Sequence, residues 1–75
     1  MKIRLLNNGC YYRAFDSVAL PVVVEAELNE FGSYDVPESE LARIGCDMDL
    51  MHDPYDPVWP FSPTEVEVRY DLQTL

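Results

Sequence analysis

Positive charge is what this sequence has least of. Five Lys and Arg residues stand against fourteen Asp and Glu, a formal net charge of −9. Affinity for phosphates rests on Lys and Arg displacing counterions, so direct binding to DNA, RNA or an anionic membrane is excluded. Histidine occurs once, at His52, and the three glycines are scattered. The first leaves no zinc set, and the second no phosphate-cradling loop. Ser17, Ser33, Ser39 and Ser62 sit in no nucleophile-elbow context. Thiolate chemistry at Cys10 or Cys46 would need an electropositive setting, the reverse of this surface. The reading is therefore non-enzymatic, with no cofactor.

No run approaches the roughly 20 apolar residues of a membrane span. Met1-Lys2-Ile3-Arg4-Leu5-Leu6 is too short and too soon polar for a signal peptide. The expectation is a cytoplasmic protein. Cys10 and Cys46 are then read as two reduced thiols, with one disulfide as the alternative.

What is present is the material of a folded domain. The hydrophobic fraction is 48 %, and three Phe, five Tyr and one Trp supply packing area. The 75 residues make one domain, 1–75, of modest stability. Period-two alternation predicts strands. Met1, Ile3 and Leu5 oppose Lys2 and Arg4; Val22, Val24, Ala26 and Leu28 oppose Val23, Glu25 and Glu27; Val66, Val68, Tyr70 and Leu72 oppose Glu65, Glu67, Arg69 and Asp71. Lys2 and Arg4 are placed to pair with glutamates across strands. Asn7-Asn8-Gly9 reads as a turn, and Asn29-Glu30-Phe31-Gly32-Ser33 as another leading to a short strand at 34–36.

One short helix is predicted over 37–44, with Asp35 as cap, Pro37 in the first turn, Glu38 and Glu40 at the positive dipole end, Arg43 at the other and Gly45 as stop. Leu41 and Ile44 would dock it on the sheet. Pro54, Pro57, Pro60 and Pro63 recur at every third position, which favours an extended path. With the acidic flank of Asp49, Asp53 and Asp56, this reads as an ordered connection laying Trp59 and Phe61 on the core. A ligand for a proline-binding module is the other reading.

Cys46, Asp47, Asp49, His52, Asp53 and Asp56 gather possible metal ligands. A calcium loop would want a central Gly and a closing Glu, and Pro54 interrupts it. A solvated acidic loop fits better; a divalent-ion site at 47–56 is a third functional possibility.

The acidic surface itself is the remaining signal. Glu25 and Glu27, two apart on a strand, put carboxylates about 7 Å apart on one face, and Glu65 and Glu67 repeat the spacing. To a basic groove, such rows resemble a nucleic-acid backbone. The primary candidates are Glu25, Glu27, Asp47, Asp49, Asp53 and Asp56, with Glu38 and Glu40 as secondary contacts.

Arg4-Leu5-Leu6-Asn7-Asn8-Gly9, Leu20-Pro21-Val22-Val23-Val24-Glu25-Ala26, Ser39-Glu40-Leu41-Ala42-Arg43-Ile44-Gly45 and Trp59-Pro60-Phe61 together resemble small acidic proteins encoded by bacterial viruses. That resemblance implies a host-directed inhibitor. Such proteins block restriction enzymes, CRISPR complexes, repair glycosylases or RNA polymerase, several of them as DNA mimics. Asp16-Ser17-Val18-Ala19-Leu20-Pro21 is similar to the edge segment that uracil-DNA glycosylase inhibitors place in a DNA groove, with Asp for Glu and one residue fewer before Leu-Pro.

The expected fold is α+β: a small curled antiparallel sheet or partial barrel of three to four strands, with one short helix after the third. The expected core is Ile3, Leu5, Val22, Val24, Ala26, Leu41, Ile44, Trp59, Val66 and Val68. The expected partner is a basic nucleic-acid-binding host protein or complex. The alternative is an interaction module whose Tyr55, Trp59 and Phe61 surface binds a partner or a second copy, with charge serving solubility.

Overall fold

The computed structural model describes residues 1–9, 11–51 and 57–68. The fold is α+β, with antiparallel strands and one helix of about two turns. In chain order come β1 (Lys2–Leu5), β2 (Val22–Glu25), β3 (Glu27–Leu28), β4 (Tyr34–Pro37), α1 (Glu38–Ile44), the single turn α2 (Met48–Met51), β5 (Val58–Phe61), a 3-10 turn (Pro63–Glu65) and β6 (Val66–Glu67). Two three-stranded sheets result, ordered β2-β1-β6 and β3-β4-β5. Among the described residues no helix is long and apolar enough to cross a membrane.

The alternation in β1 does what its pattern predicts. Ile3 and Leu5 are fully buried, opposite Val24 on β2 and Val66 on β6 respectively. On the other face Lys2 lies across from Glu25 and Arg4 from Glu67, where the Arg4 guanidinium meets the Glu67 carboxylate at 2.8 Å.

Among the described residues the strands number six rather than three to four, for identifiable reasons. The run 22–28 is not one strand. Ala26 donates its N–H to the Met1 carbonyl at 2.7 Å, and the Met1 ammonium donates back to the Ala26 carbonyl at 2.8 Å. Beyond Ala26 the chain leaves the edge of β1 and pairs with β4 instead, Glu27 opposite Asp35 and Leu28 opposite Tyr34. Leu28 consequently ends 57 % exposed instead of joining the core. Residues 58–61, expected as a connection, form β5, with Trp59 opposite Val36 and Phe61 opposite Tyr34. Proline is admitted because β5 is an edge strand. The Pro60 carbonyl accepts the Tyr11 hydroxyl at 3.0 Å.

The helix begins at Glu38, and Asp35 does not cap it. The Asp35 carboxylate instead accepts the Asn29 side-chain N–H at 3.0 Å within the β3–β4 hairpin. The Glu38 N–H is met by the Pro57 carbonyl at 3.0 Å. Gly45 stops the helix at φ 101°, and the Cys46 N–H closes back on the Leu41 carbonyl at 3.0 Å.

Of the expected strand from 65 to 72, only Val66–Glu67 pairs with β1 within the described residues. Glu65 belongs to the preceding 3-10 turn, where it forms a capping box with Ser62. Val68 is 43 % exposed, so it leaves the expected core; Tyr70 and Leu72 lie outside the described residues.

The core gathers Ile3, Leu5, Val24, Ala26, Leu41 and Val66, as expected, with Val22, Ile44 and Trp59 half-buried against it. Ala14, Phe15, Val36, Cys46 and Phe61 complete it. Phe61 is fully buried, a contribution of about 2–3 kcal/mol. It meets Tyr11 and Phe15 edge-on at centroid distances of 5.4 and 6.1 Å. Gly9, at φ 58°, sits against that ring, and a Cβ there would stand 2.5 Å from Phe61 Cε1.

Candidate functional site

The acidic residues separate into carboxylates that hold the fold and carboxylates that face outward. Glu40 is of the first kind. From α1 it accepts the Glu25 backbone N–H at 2.8 Å, and it takes two hydrogen bonds from Arg43, Nε to Oε2 and Nη2 to Oε1, each 3.0 Å. Arg43 also donates to the Val23 carbonyl at 2.9 Å. These two side chains occupy the outer edge of β2 as a neighbouring strand would. Arg43's hydrogen bond, then that of the Glu25 N–H, hold the Glu40 carboxyl below the usual carboxylate range. Glu65 is committed likewise: its Oε1 accepts the Ser62 N–H at 2.8 Å. Glu67 is engaged by Arg4. The expected Glu65/Glu67 row is therefore structural.

Asp47 sits just before α2, and its Oδ1 accepts the Asp49 N–H at 3.0 Å, a helix-start contact. Asp47 also donates its backbone N–H to the Ala14 carbonyl at 2.9 Å. Both aspartates are exposed. Asp53, Asp56, His52 and Tyr55 lie outside the described residues. Cys46 is a buried free thiol, pushed up to about 11 by burial, and so a poor metal ligand. Among the described residues no three His, Cys, Asp or Glu side chains gather to hold a metal ion.

The outward carboxylates converge elsewhere. Glu27 on β3 and Asp35 on β4 stand directly opposite each other across the ladder. Like charges in that relation destabilise a sheet. Asp35 takes one hydrogen bond from Asn29, and no cation reaches Glu27 among the described residues. Glu25 is close by, 3.3 Å from the Met1 ammonium and 55 % exposed. A depression of about 320 Å³ brings Glu25, Glu27 and Asp35 together over Pro37 and Val58. Glu38 starts α1 immediately after Pro37.

The structure thus joins Glu25 and Glu27 from the sequence candidates in one depression, whose lining does not include Asp47 or Asp49. It adds Asp35 and Glu30, which sequence reasoning assigned to a cap and a turn. It also adds Phe31, 84 % exposed at the hairpin tip. A large apolar residue inside the polar turn Asn29-Glu30-Phe31-Gly32 was the available signal. Phe61, counted for an aromatic surface, is buried, while Trp59 packs edge-on against Tyr11 at 5.5 Å. Asp16 and Ser17 lie in turns, and the following strand begins at Val22.

The chain matches no family model, no curated protein and no solved structure.

Proposed function

We propose that this protein binds the basic nucleic-acid-binding surface of another protein and occupies it in place of DNA or RNA. It acts as a viral inhibitor of a host defence, repair or transcription protein, without catalysis of its own. The observation that carries the reading is the direct opposition of Glu27 and Asp35 across the β3-β4 ladder, with no cation on Glu27 among the described residues. Packing gives no return for that arrangement, and a fold tolerates such a local conflict where function requires it. Glu25 and Glu30 extend the negative surface to either side. A cationic groove would attract it from a distance and hold it through charge-assisted hydrogen bonds.

The test is capture of proteins from bacterial lysate on the immobilised chain, with elution by rising salt and by added duplex DNA. Basic nucleic-acid-binding proteins, released by both, are expected. Neutral or acidic proteins that neither salt nor DNA releases would refute the reading.

One observation favours the aromatic alternative. The Trp59 Nε1 is buried without an acceptor among the described residues, beside a groove of about 410 Å³ lined by Tyr11, Tyr12, Leu50 and Trp59. A module working through that face would keep its partner after Glu27→Lys and lose it after Tyr12→Ala.

A further inference from the structure

The depression over Pro37 and Val58 does not end at Glu27 and Asp35. A second concavity, about 690 Å³, shares Glu27, Asp35 and Val58 with it and runs past Pro60 to Phe31. The two form one track across the outward face of the β3-β4-β5 sheet. Its floor is apolar, supplied by Pro37, Val58 and Pro60. Carboxylates of Glu27, Asp35 and Glu30 stand along it, Glu25 sits at its near end beside the Met1 ammonium, and the Phe31 ring closes its far end.

The hairpin end is held in place. The Asn29 side chain accepts the N–H groups of Phe31 and Ser33 at 2.9 and 3.0 Å, and the Asn29 N–H donates to the Ser33 carbonyl at 2.8 Å. Gly32, at φ 83°, supplies the left-handed residue of a three-residue loop. Phe31 is presented to solvent on an ordered frame, so little conformational entropy is lost when something covers it.

We infer that this track receives an extended Lys/Arg-rich segment of the partner protein. The inference rests on the proposed function and names the element of the partner that is seized. Each feature answers one part of such a segment. Lys and Arg lay apolar stems along apolar surface and keep charged heads at its margin. The floor takes the stems, the carboxylates take the heads, and the Phe31 face takes a guanidinium by cation–π contact. At about 3.3 Å per residue, five or six residues of extended chain span β4 and the hairpin tip. A compact polycation would meet the carboxylates and leave the floor and the ring unused.

The experiment is calorimetric titration of the full chain with a blocked eight-residue peptide alternating Arg and Val, with spermine as the compact cation. The peptide is expected to bind in low salt and more tightly than spermine. Glu27→Lys should weaken it about tenfold or more. Phe31→Ala and Val58→Ser should weaken the peptide severalfold and leave spermine unchanged. No peptide binding, or equal response of peptide and spermine to all three variants, would overturn the inference. If lysate capture remains sensitive to salt and DNA while the peptide fails, the proposed function stands and only this assignment falls. Circular dichroism of each variant separates lost binding from lost fold.

Discussion

Glu40 of α1 accepts the backbone N–H of Glu25 on β2 at 2.8 Å, so a helix side chain completes a strand's ladder. Arg43 does the same for the Val23 carbonyl and is braced by Glu40. The pair fixes a two-turn helix to a sheet edge and keeps that edge from pairing with another chain. Glu40→Ala removes the contact to the Glu25 N–H and the brace on Arg43. A loss of about 1 kcal/mol is expected, read as a melting temperature lower by roughly 4–8 °C. An unchanged melting temperature would reduce the contact to a surface pairing of no consequence.

The same contact makes stability depend on pH. The folded Glu40 carboxyl lies below its ordinary value of 4.5, first through Arg43's hydrogen bond and then through that of the Glu25 N–H. The unfolded chain therefore takes up this proton at higher pH than the folded one. The stabilisation is full above the ordinary carboxylate value and is lost as pH falls through the depressed folded value. Denaturant melts of wild type and Glu40→Gln from about pH 6 to about pH 3 should show the difference between them closing. A difference that stays constant would mean that ionisation of Glu40 contributes nothing.

Glu27→Lys should separate stability from function. It turns a like-charge cross-strand pair with Asp35 into an opposite-charge one. Stability is expected to rise by about 0.2–1 kcal/mol in low salt, while capture of basic proteins falls. Thermal melts and lysate capture on the same sample read both. Loss of stability would show that Glu27 supports the sheet.

Two glycines should differ sharply. Gly9→Ala drives a Cβ into the Phe61 ring at 2.5 Å and strains φ 58°, a cost of about 2–4 kcal/mol. Gly32→Ala meets open space and strains only φ 83°, about 1 kcal/mol. Urea denaturation midpoints should rank wild type, Gly32→Ala and Gly9→Ala in falling order. Equal losses would contradict the packing of Gly9 on Phe61.

Cys46 should resist alkylation in the folded protein. Burial raises its thiol to about 11, so thiolate is scarce near neutral pH. In a Cys10→Ser background, labelling by iodoacetamide near pH 8 should be slow until denaturant is added. The buried thiol's contribution to stability is full below the unfolded thiol's value of 9.0 and is lost as pH rises towards 11. Fast labelling of the native protein would contradict the burial.

Local chemistry made much of this fold legible. Alternation placed Ile3 and Leu5 inside, and Gly45 marked the end of α1. A period of two does not say which sheet a strand belongs to, so the switch at Ala26 was invisible. β5 was hidden because Pro57 and Pro60 argue against a strand unless it is known to be an edge, which is a tertiary fact. The acidic surface was legible as charge and illegible as geometry. Glu40 and Glu65 look like Glu27 in sequence, yet Arg43 and Ser62 claim them in the fold. Asp35, read as a helix cap, instead stands opposite Glu27 and accepts a hydrogen bond from Asn29 in the hairpin.

The central claim is that the face carrying Glu27 and Asp35 meets the partner. Covalent footprinting, labelling carboxylates and aromatic rings of the free chain and of the chain bound to its captured partner, measures this directly. Protection of Glu25, Glu27, Asp35 and Phe31, with Tyr12 labelled equally in both states, is expected. Protection of Tyr12 with the four acidic-face residues unchanged would contradict the claim.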